Sequence, residues 1–416
     1  MTPSRSTDGD RAARTSGMLS GLKVLDFTQY LAGPTVTRLM AEMGAEIIKV
    51  EQAPMGDPAR LLPVVKNGRS AYFVQQNRGK KSLCLDFGKP RAIELLRSLV
   101  AKVDVVVENY GPGVLERRRL DYASLREINP KIIMASISAF GRSGPLSHKV
   151  GYDFIAQAFA GVMHMTGFPD GPPVFVGMAI ADVGSGVHAF GAIGYALYHR
   201  ERTGVGQHID ISMVDALYHM HEVNVQAYTT TDGQYVPRRM GAHHALVTPC
   251  GVFKGPQGYL AILVLDRQWP AMAKAMGRAE LATDERFATG PDRAKNQKEL
   301  ISIIEDWLAS LPSDEAALGI FEEARIAASP VLSVADSVEH PHFVARGMIR
   351  RVGDPILGEV TIPGFPFKFS AFPDLPEIQA PLLGQHGSEV LREHLGLGDD
   401  ALADLSAGGI LFTASR

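Results

Sequence analysis

The chain reads as an α/β protein, with a parallel sheet in its first half and a smaller compact unit after it. Three observations predict this. Short, continuous apolar runs alternate with helix-length segments from Leu22 to Ile137, the pattern of strands covered by helices on both faces. The 416 residues exceed what a single core usually organises, so two domains are expected. After about residue 205 the alternation gives way to polar, irregular sequence.

Taken in order, Leu22–Phe27 is an apolar strand, followed by Ala32-Gly33-Pro34 and a helical segment Thr35–Met43. Glu46–Val50 is a second strand, and Ser82–Leu85 a further short one. Helix Ala92–Ala101 leads into strand Val103–Val107, and Ile132–Ile137 is one more. In such sheets ligands sit beyond the carboxyl ends of the strands. A long apolar helix is expected over Val187–Tyr198, an extended segment over Gln207–Met213, and a helix over Asp215–Tyr228 that carries His219 and His221. A hairpin around Gly251–Val264 turns at Gly255-Pro256, and helices follow near Trp269–Met276 and Lys298–Leu308. Residues 346–370 alternate like strands broken by Gly and Pro, and 383–416 form polar helical pieces. The expected organisation is a leader over 1–17 without structure, a large domain 18–205, a linker 206–248 and a small domain 249–345. Residues 346–416 complete it as a return linker and a C-terminal segment packing on the large domain. Connections as long as 206–248 and 346–382 are unusual within a compact domain.

Composition excludes several function classes. Hydrophobic content of 45% and charged content of 21% are those of an ordinary globular protein. A formal net charge of −3 makes no case for nucleic acid or an anionic membrane. Cys84 and Cys250 are far apart, without metal-ligand spacing, as expected of free thiols in a reducing compartment. Arg5, Arg11 and Arg14 punctuate a leader with no apolar run for secretion. Asp182 and His188 interrupt the longest apolar stretch before it reaches membrane-spanning length. A cytoplasmic location is expected.

Glu51 ends a strand where a ribose-binding acid would sit. The first strand–helix turn, Gln29-Tyr30-Leu31-Ala32-Gly33-Pro34, lacks G-x-G-x-x-G, and no Walker A sequence occurs. His219 and His221 are two apart and point to different faces of a helix, so they cannot clasp one metal; no H-E-x-x-H or G-x-S-x-G pattern is present. Two polar clusters remain, Asn77-Arg78-Gly79-Lys80-Lys81-Ser82 and Glu108-Asn109-Tyr110-Gly111-Pro112-Gly113, the second with Arg117 and Arg118 just beyond. Each is either a solvated turn or part of a site for a long anionic ligand. The most informative carboxylate is Asp182, which ends the apolar run Pro173–Ala181 and is followed by Gly184 and Gly186. It is either a helix N-cap or a reactive group in apolar surroundings, where small neighbours let a ligand approach.

An ordered set of motifs decides between these readings. They run Val24-Leu25-Asp26-Phe27 with Ala32-Gly33-Pro34, Gly44 to Glu51, Gly56-Asp57 with Arg60, Asn77 to Asp86, and Asp104 to Gly113. They continue through Phe140-Gly141, Gly151-Tyr152-Asp153, Thr166-Gly167 to Asp182, Thr203-Gly204 and Asp215-Ala216, and end in Phe365 to Ser370 and Pro381 to Gly384 with His386. In this the chain resembles the family III CoA-transferases, which include formyl-CoA transferase, carnitine CoA-transferases and 2-methylacyl-CoA racemase. The resemblance implies a Rossmann-like large domain and a smaller α+β domain in an obligate, interlocked homodimer, the long connections wrapping the partner. It implies coenzyme A and acyl-CoA as substrates with a small carboxylic acid, and no tightly bound cofactor or metal. It places on Asp182 the aspartate that attacks the thioester, forming a mixed anhydride and then an aspartyl-CoA thioester. For CoA it points to Gln29, Tyr30, Leu31, Ala32, Leu85, Asn109, Tyr110 and Arg117. The racemases pair their aspartate with a histidine where this chain has Tyr152, a poor proton-transfer partner near neutral pH. Transferase is therefore favoured, with a racemase and a non-catalytic acyl-CoA-binding paralogue as rivals. There are departures from formyl-CoA transferase. Leu31 stands for its glutamine near the reacting carbonyl and Gln52 for an arginine near the nucleotide, and no glycine-rich lid is visible in 240–262. They argue for an acceptor less compact than oxalate or formate.

Overall fold

The computed structural model describes residues 17–62 and 64–413; the leader, apart from Gly17, lies outside them. The main strands are β1 (Lys23–Asp26), β2 (Glu46–Gln52), β3 (Lys80–Leu85), β4 (Val105–Glu108), β5 (Ile133–Ser138) and β6 (His208–Ser212). Then come β7 (Cys250–Lys254), β8 (Tyr259–Leu263), β9 (Ala327–Pro330), β10 (Ile349–Asp354), β11 (Gly358–Pro363) and β12 (Leu411–Phe412). The helices used below are α1 (Ala32–Glu42), α2 (Ala71–Asn77), α3 (Pro90–Val100), α4 (Asp153–Phe159), α5 (Ile180–Thr203), α6 (Met213–His219) and α7 (Asn224–Thr230).

The large sheet runs β12-β3-β2-β1-β4-β5-β6. Its six long strands are parallel in the order 3-2-1-4-5-6, and only β12 is antiparallel, on β3. The chain therefore winds outward from β1 to β3, then crosses back through α3 to β4 on the other side of β1. That reversal opens a crevice between the carboxyl ends of β1 and β4, where such sheets bind ligands. One face of the sheet buries Leu25, Ile48, Leu83 and Val106 with Leu95, Leu96 and Leu99 of α3 and Val390, Leu391 and Leu402 of the C-terminal helices. Burying each side chain of that size contributes roughly 1.5–3 kcal/mol.

The chain divides into two compact units. The first comprises the chain up to Gly161, Gly177–Glu222 and His342 onward; the second is Val162–Val176 with Val223–Pro341. In the second, the antiparallel sheet β9-β8-β7 is backed by helices around Phe253, Trp269, Phe287, Leu300 and Phe321. Residues 206–248, expected to be a linker, are thus shared: the extended segment is the edge strand β6, paired to β5, so the first unit runs past 205. The expected helix over Asp215–Tyr228 is two helices, α6 and α7, with Met220 to Val223 between them. Ser212 starts α6 by accepting the Asp215 N–H at 3.1 Å. The helix expected from Val187 begins earlier, at Ile180, because Gly184 and Gly186 are themselves helical. Among the described residues no helix is long and apolar enough to cross a membrane.

Candidate active site

The turn after β1 is held from several sides. Asp26, buried at the end of β1, accepts from the Thr28 N–H at 2.8 Å and from Lys80 Nζ at 2.9 Å. Gln29 and Asn109 exchange a reciprocal pair: Gln29 N donates to Asn109 Oδ1 and Asn109 Nδ2 to Gln29 O, each at 2.8 Å. These bonds span the crevice, tying the β1 turn to the β4 turn. Tyr30 sits at φ 62°, a left-handed conformation that costs a non-glycine residue about 1–3 kcal/mol. The chain then enters α1, whose N-terminus carries no side-chain cap, the kind of terminus that suits an anionic ligand.

On the β4 side, burial raises the Glu108 carboxyl against the opposing pull of Arg142. Arg142 pairs with Glu108 through Nη2, which also donates to Tyr110 O at 3.0 Å, while its backbone N–H is taken by Asp210 at 2.8 Å. One arginine, in the loop after β5, thus links the end of β4 to the middle of β6. Burial also raises the Tyr110 phenol, which bonds the Gln29 side chain. Arg117 is exposed beyond, folded back toward Gly113, where a Cβ would stand 2.8 Å from its Nη1.

Asp182 lies in the first turn of α5. A Cβ on Gly186, one turn on, would meet Ala32 O at 2.6 Å and Thr35 Cβ at 2.8 Å. Only glycine lets α5 approach α1 so closely, which brings the Asp182 turn to the N-terminus of α1. Asp182 is not the cap of its helix, as one reading of the sequence had it. Asp153, at the start of α4, takes that role with Oδ1, accepting from the N–H groups of Ala181 at 2.8 Å and Asp182 at 3.2 Å. Its Oδ2 accepts from Gln157 Nε2 at 2.6 Å. Burial, and then the Asp153 charge, raise the Asp182 carboxyl to about 7. A helix N-terminus favours a carboxylate by typically 0.3–1 kcal/mol, too little to offset this. The Tyr72 phenol is raised by burial and then by the charges of Asp182 and Asp57. Among the described residues no hydrogen bond holds the Asp182 carboxyl down; a carboxyl raised in this way is chemically suited to act as an oxygen nucleophile or proton acceptor near neutral pH.

The expected site residues divide by accessibility. Gln29, Tyr30, Asn109 and Tyr110 are half-buried around the crevice and Arg117 is exposed. The side chains of Leu31, Ala32 and Leu85 are buried, Leu85 completely and in the sheet core. Tyr152 is exposed and meets Tyr30 edge-on at 6.3 Å between ring centroids. Gln52 is pinned to Ala53 O and the Phe87 N–H. His219 packs on His188 whereas His221 bonds Ala160 O, so the two histidines part. Glu46, Glu393 and His394 have metal-ligand spacing, but the Lys81 ammonium bonds both glutamates at 2.8 and 3.1 Å. Sequence reasoning missed Tyr72, Arg142 and the roles of Asp57 and Asp153. Asp153 carried a signal, since it closes the Gly151-Tyr152-Asp153 motif; Tyr72 carried none.

Residues 19–387 match the model of CoA-transferase family III. A succinyl-CoA:mesaconate CoA-transferase of Haloarcula hispanica is 40% identical over 91% of this chain and 96% of its own. A formyl-CoA:oxalate CoA-transferase of Streptomyces avermitilis is 36% identical over 94% and 99%. The crystal structure of a CAIB/BAIF family protein from Brucella suis superposes with a TM-score of 0.80, at 36% identity, over 91% of this chain and all of that one. The chain belongs to the family III CoA-transferases.

Proposed function

We propose that this CoA-transferase moves CoA from an acyl-CoA to a carboxylic acid through covalent intermediates on Asp182. The observation that carries the reading is a carboxyl raised to about 7, without hydrogen bonds among the described residues, in the first turn of a helix packed against α1. Its ionised oxygen attacks the thioester carbonyl and expels CoA thiolate, forming a mixed anhydride. The thiolate then attacks the Asp182 carbonyl, releasing the donor acid and leaving an aspartyl-CoA thioester, and the acceptor reverses both steps. The uncapped N–H groups of α1 are suited to stabilising the oxyanions. Gln29, Tyr30, Asn109, Tyr110 and Arg117 would hold CoA along the crevice, with Leu31 and Ala32 shaping its floor and Tyr152 on the acid side; Leu85, wholly buried in the sheet core, would support the crevice without touching CoA. Incubation with a panel of acyl-CoAs, hydroxylamine trapping and peptide mass spectrometry should yield a hydroxamate confined to Asp182 and absent from Asp182→Asn. Modification at another residue overturns the assignment.

The acceptor is an acid larger than oxalate, given Leu31 in place of a glutamine and no glycine-rich lid in 240–262. The named relatives act on mesaconate and on oxalate, so a panel of oxalate, succinate, itaconate, malate, carnitine and aromatic acids is discriminating. Efficient oxalate turnover would sink this part. A carboxyl near 7 also suits proton transfer, which makes 2-methylacyl-CoA racemisation the second reading. It requires α-hydrogen exchange into solvent without transfer to any acid.

The working unit is an obligate homodimer. Val183, Val187, Tyr195 and Tyr198 on α5 and Phe154, Ile155 and Phe159 on α4 are all exposed, more contiguous apolar surface than monomers usually leave open. Sedimentation velocity at low concentration should show only dimer; a stable, active monomer contradicts it.

A further inference from the structure

We infer that Lys49 and Asp57 are positioning residues that hold the turn Thr28–Leu31 in its CoA-binding shape. The inference rests on that turn taking CoA, as proposed above. Both side chains are almost completely buried beneath the turn, with Lys49 Nζ 2.8 Å from Asp57 Oδ2. The ammonium also donates to Thr28 O at 2.8 Å. Asp57 Oδ1 accepts from the Tyr30 N–H at 3.1 Å and the Ala59 N–H at 2.9 Å. The pair therefore grips the turn on both sides of Gln29, by the carbonyl before it and the amide after it.

Behind the pair stands a second layer. The Asp57 N–H donates to Glu51 Oε2 at 3.0 Å. Glu51 is itself held by Arg60 at 2.8 and 2.7 Å and by Ser82 Oγ at 2.6 Å. Gly56 has φ 74°, and a Cβ there would lie 2.7 Å from Glu51 Oε2. The segments Lys49-x-Glu51 and Gly56-Asp57-x-x-Arg60 are thus one buried, charge-balanced frame. Such a frame is a poor route to stability, because well-packed apolar residues of similar volume often do as well. What it supplies here is geometry. Tyr30 is left-handed, and nothing in its own side chain favours that conformation. Released from Asp57, residue 30 relaxes to negative φ and carries Gln29, and with it the bridge to Asn109, out of place.

CoA affinity measured by titration calorimetry on the full-length protein tests this. Asp57→Ala should weaken CoA about tenfold, the worth of one charge-assisted hydrogen bond. Asp57→Asn keeps the acceptor and should stay within about twofold of the native value. In a Tyr30→Gly background, where the left-handed turn needs no holding, Asp57→Ala should cost less than about threefold. A folded Asp57→Ala with native affinity, or equal losses in both backgrounds, overturns the inference. If Asp57→Ala does not fold, Lys49→Met/Asp57→Asn, a neutral pair of similar volume, replaces it. It loses the bond to Thr28 O and should bind CoA about fivefold more weakly; native affinity contradicts the account. Asp182 labelling by saturating acyl-CoA is followed separately. It should persist in the Asp57 variants, and its absence from the native protein would refute the covalent mechanism while leaving the CoA affinities to judge the turn.

Discussion

Asp57 and Asp182 are aspartates of one crevice in opposite electrostatic settings. Asp57 faces the Lys49 ammonium and accepts two backbone N–H groups. Among the described residues Asp182 has no cation or hydrogen bond to hold it down, and the charge acting on it is the like charge of Asp153. A carboxylate that positions a turn needs its lone pairs occupied. One that attacks a thioester needs them free and basic. On the proposed reading, the fold separates the two tasks by placing one under the β1 turn and the other in the first turn of a helix whose cap is borrowed from α4.

The contrast breaks most completely when Asp182 is changed. Asp182→Asn should lower turnover by about 10⁴-fold or more while CoA affinity stays native; steady-state rates beside calorimetry read both. Next is the contact that joins the two regions. Gly186→Ala puts a methyl group 2.6 Å from Ala32 O, forcing α5 off α1, and should cost about 2–3 kcal/mol in denaturant unfolding.

A third prediction concerns stability against pH. The folded Asp182 carboxyl is raised to about 7 from an ordinary 3.8, so the native state keeps a proton that the unfolded chain has released. Its contribution is present in full below about pH 4 and is lost as the pH rises through 7. Asp182→Asn should therefore be more stable than the native protein by up to about 4 kcal/mol at pH 8 and show no such gain at pH 4. Thermal unfolding at the two pH values checks it. The smallest effect belongs to Asp153→Asn, which keeps the acceptor for the Ala181 and Asp182 N–H groups but removes the charge. The acid limb of kcat/KM should move down by up to about one pH unit. An unmoved limb would mean that burial alone sets the basicity of Asp182.

Much of the scaffold was legible because strand and helix signals are local. The apolar runs at Leu22–Phe27, Glu46–Val50 and Ile132–Ile137 all lie on strands of the large sheet. What was not legible depends on distance along the chain. The order of the strands, and so the meeting of Gln29 with Asn109, follows from a crossover that no local pattern records. Asp182 resembled a helix cap because its true cap, Asp153, lies 29 positions earlier. The two glycines after it read as room for a ligand, whereas Gly186 serves a helix–helix contact. Lys49, Glu51, Asp57 and Arg60 were visible as motif residues, but their joint role emerges only where β2 and the segment after it fold under the β1 turn.

The covalent role of Asp182 is tested most directly with an acceptor acid labelled with oxygen-18 in its carboxylate. The acceptor's attack on the aspartyl thioester makes one of its oxygens the bridge of a mixed anhydride, and the CoA thiolate then attacks the acceptor carbonyl, leaving that bridge on Asp182. After a single turnover, peptide mass spectrometry should find one labelled oxygen in the Asp182 side chain and none at Asp57 or Asp153. Completed transfer of CoA with no label in Asp182 would contradict the account.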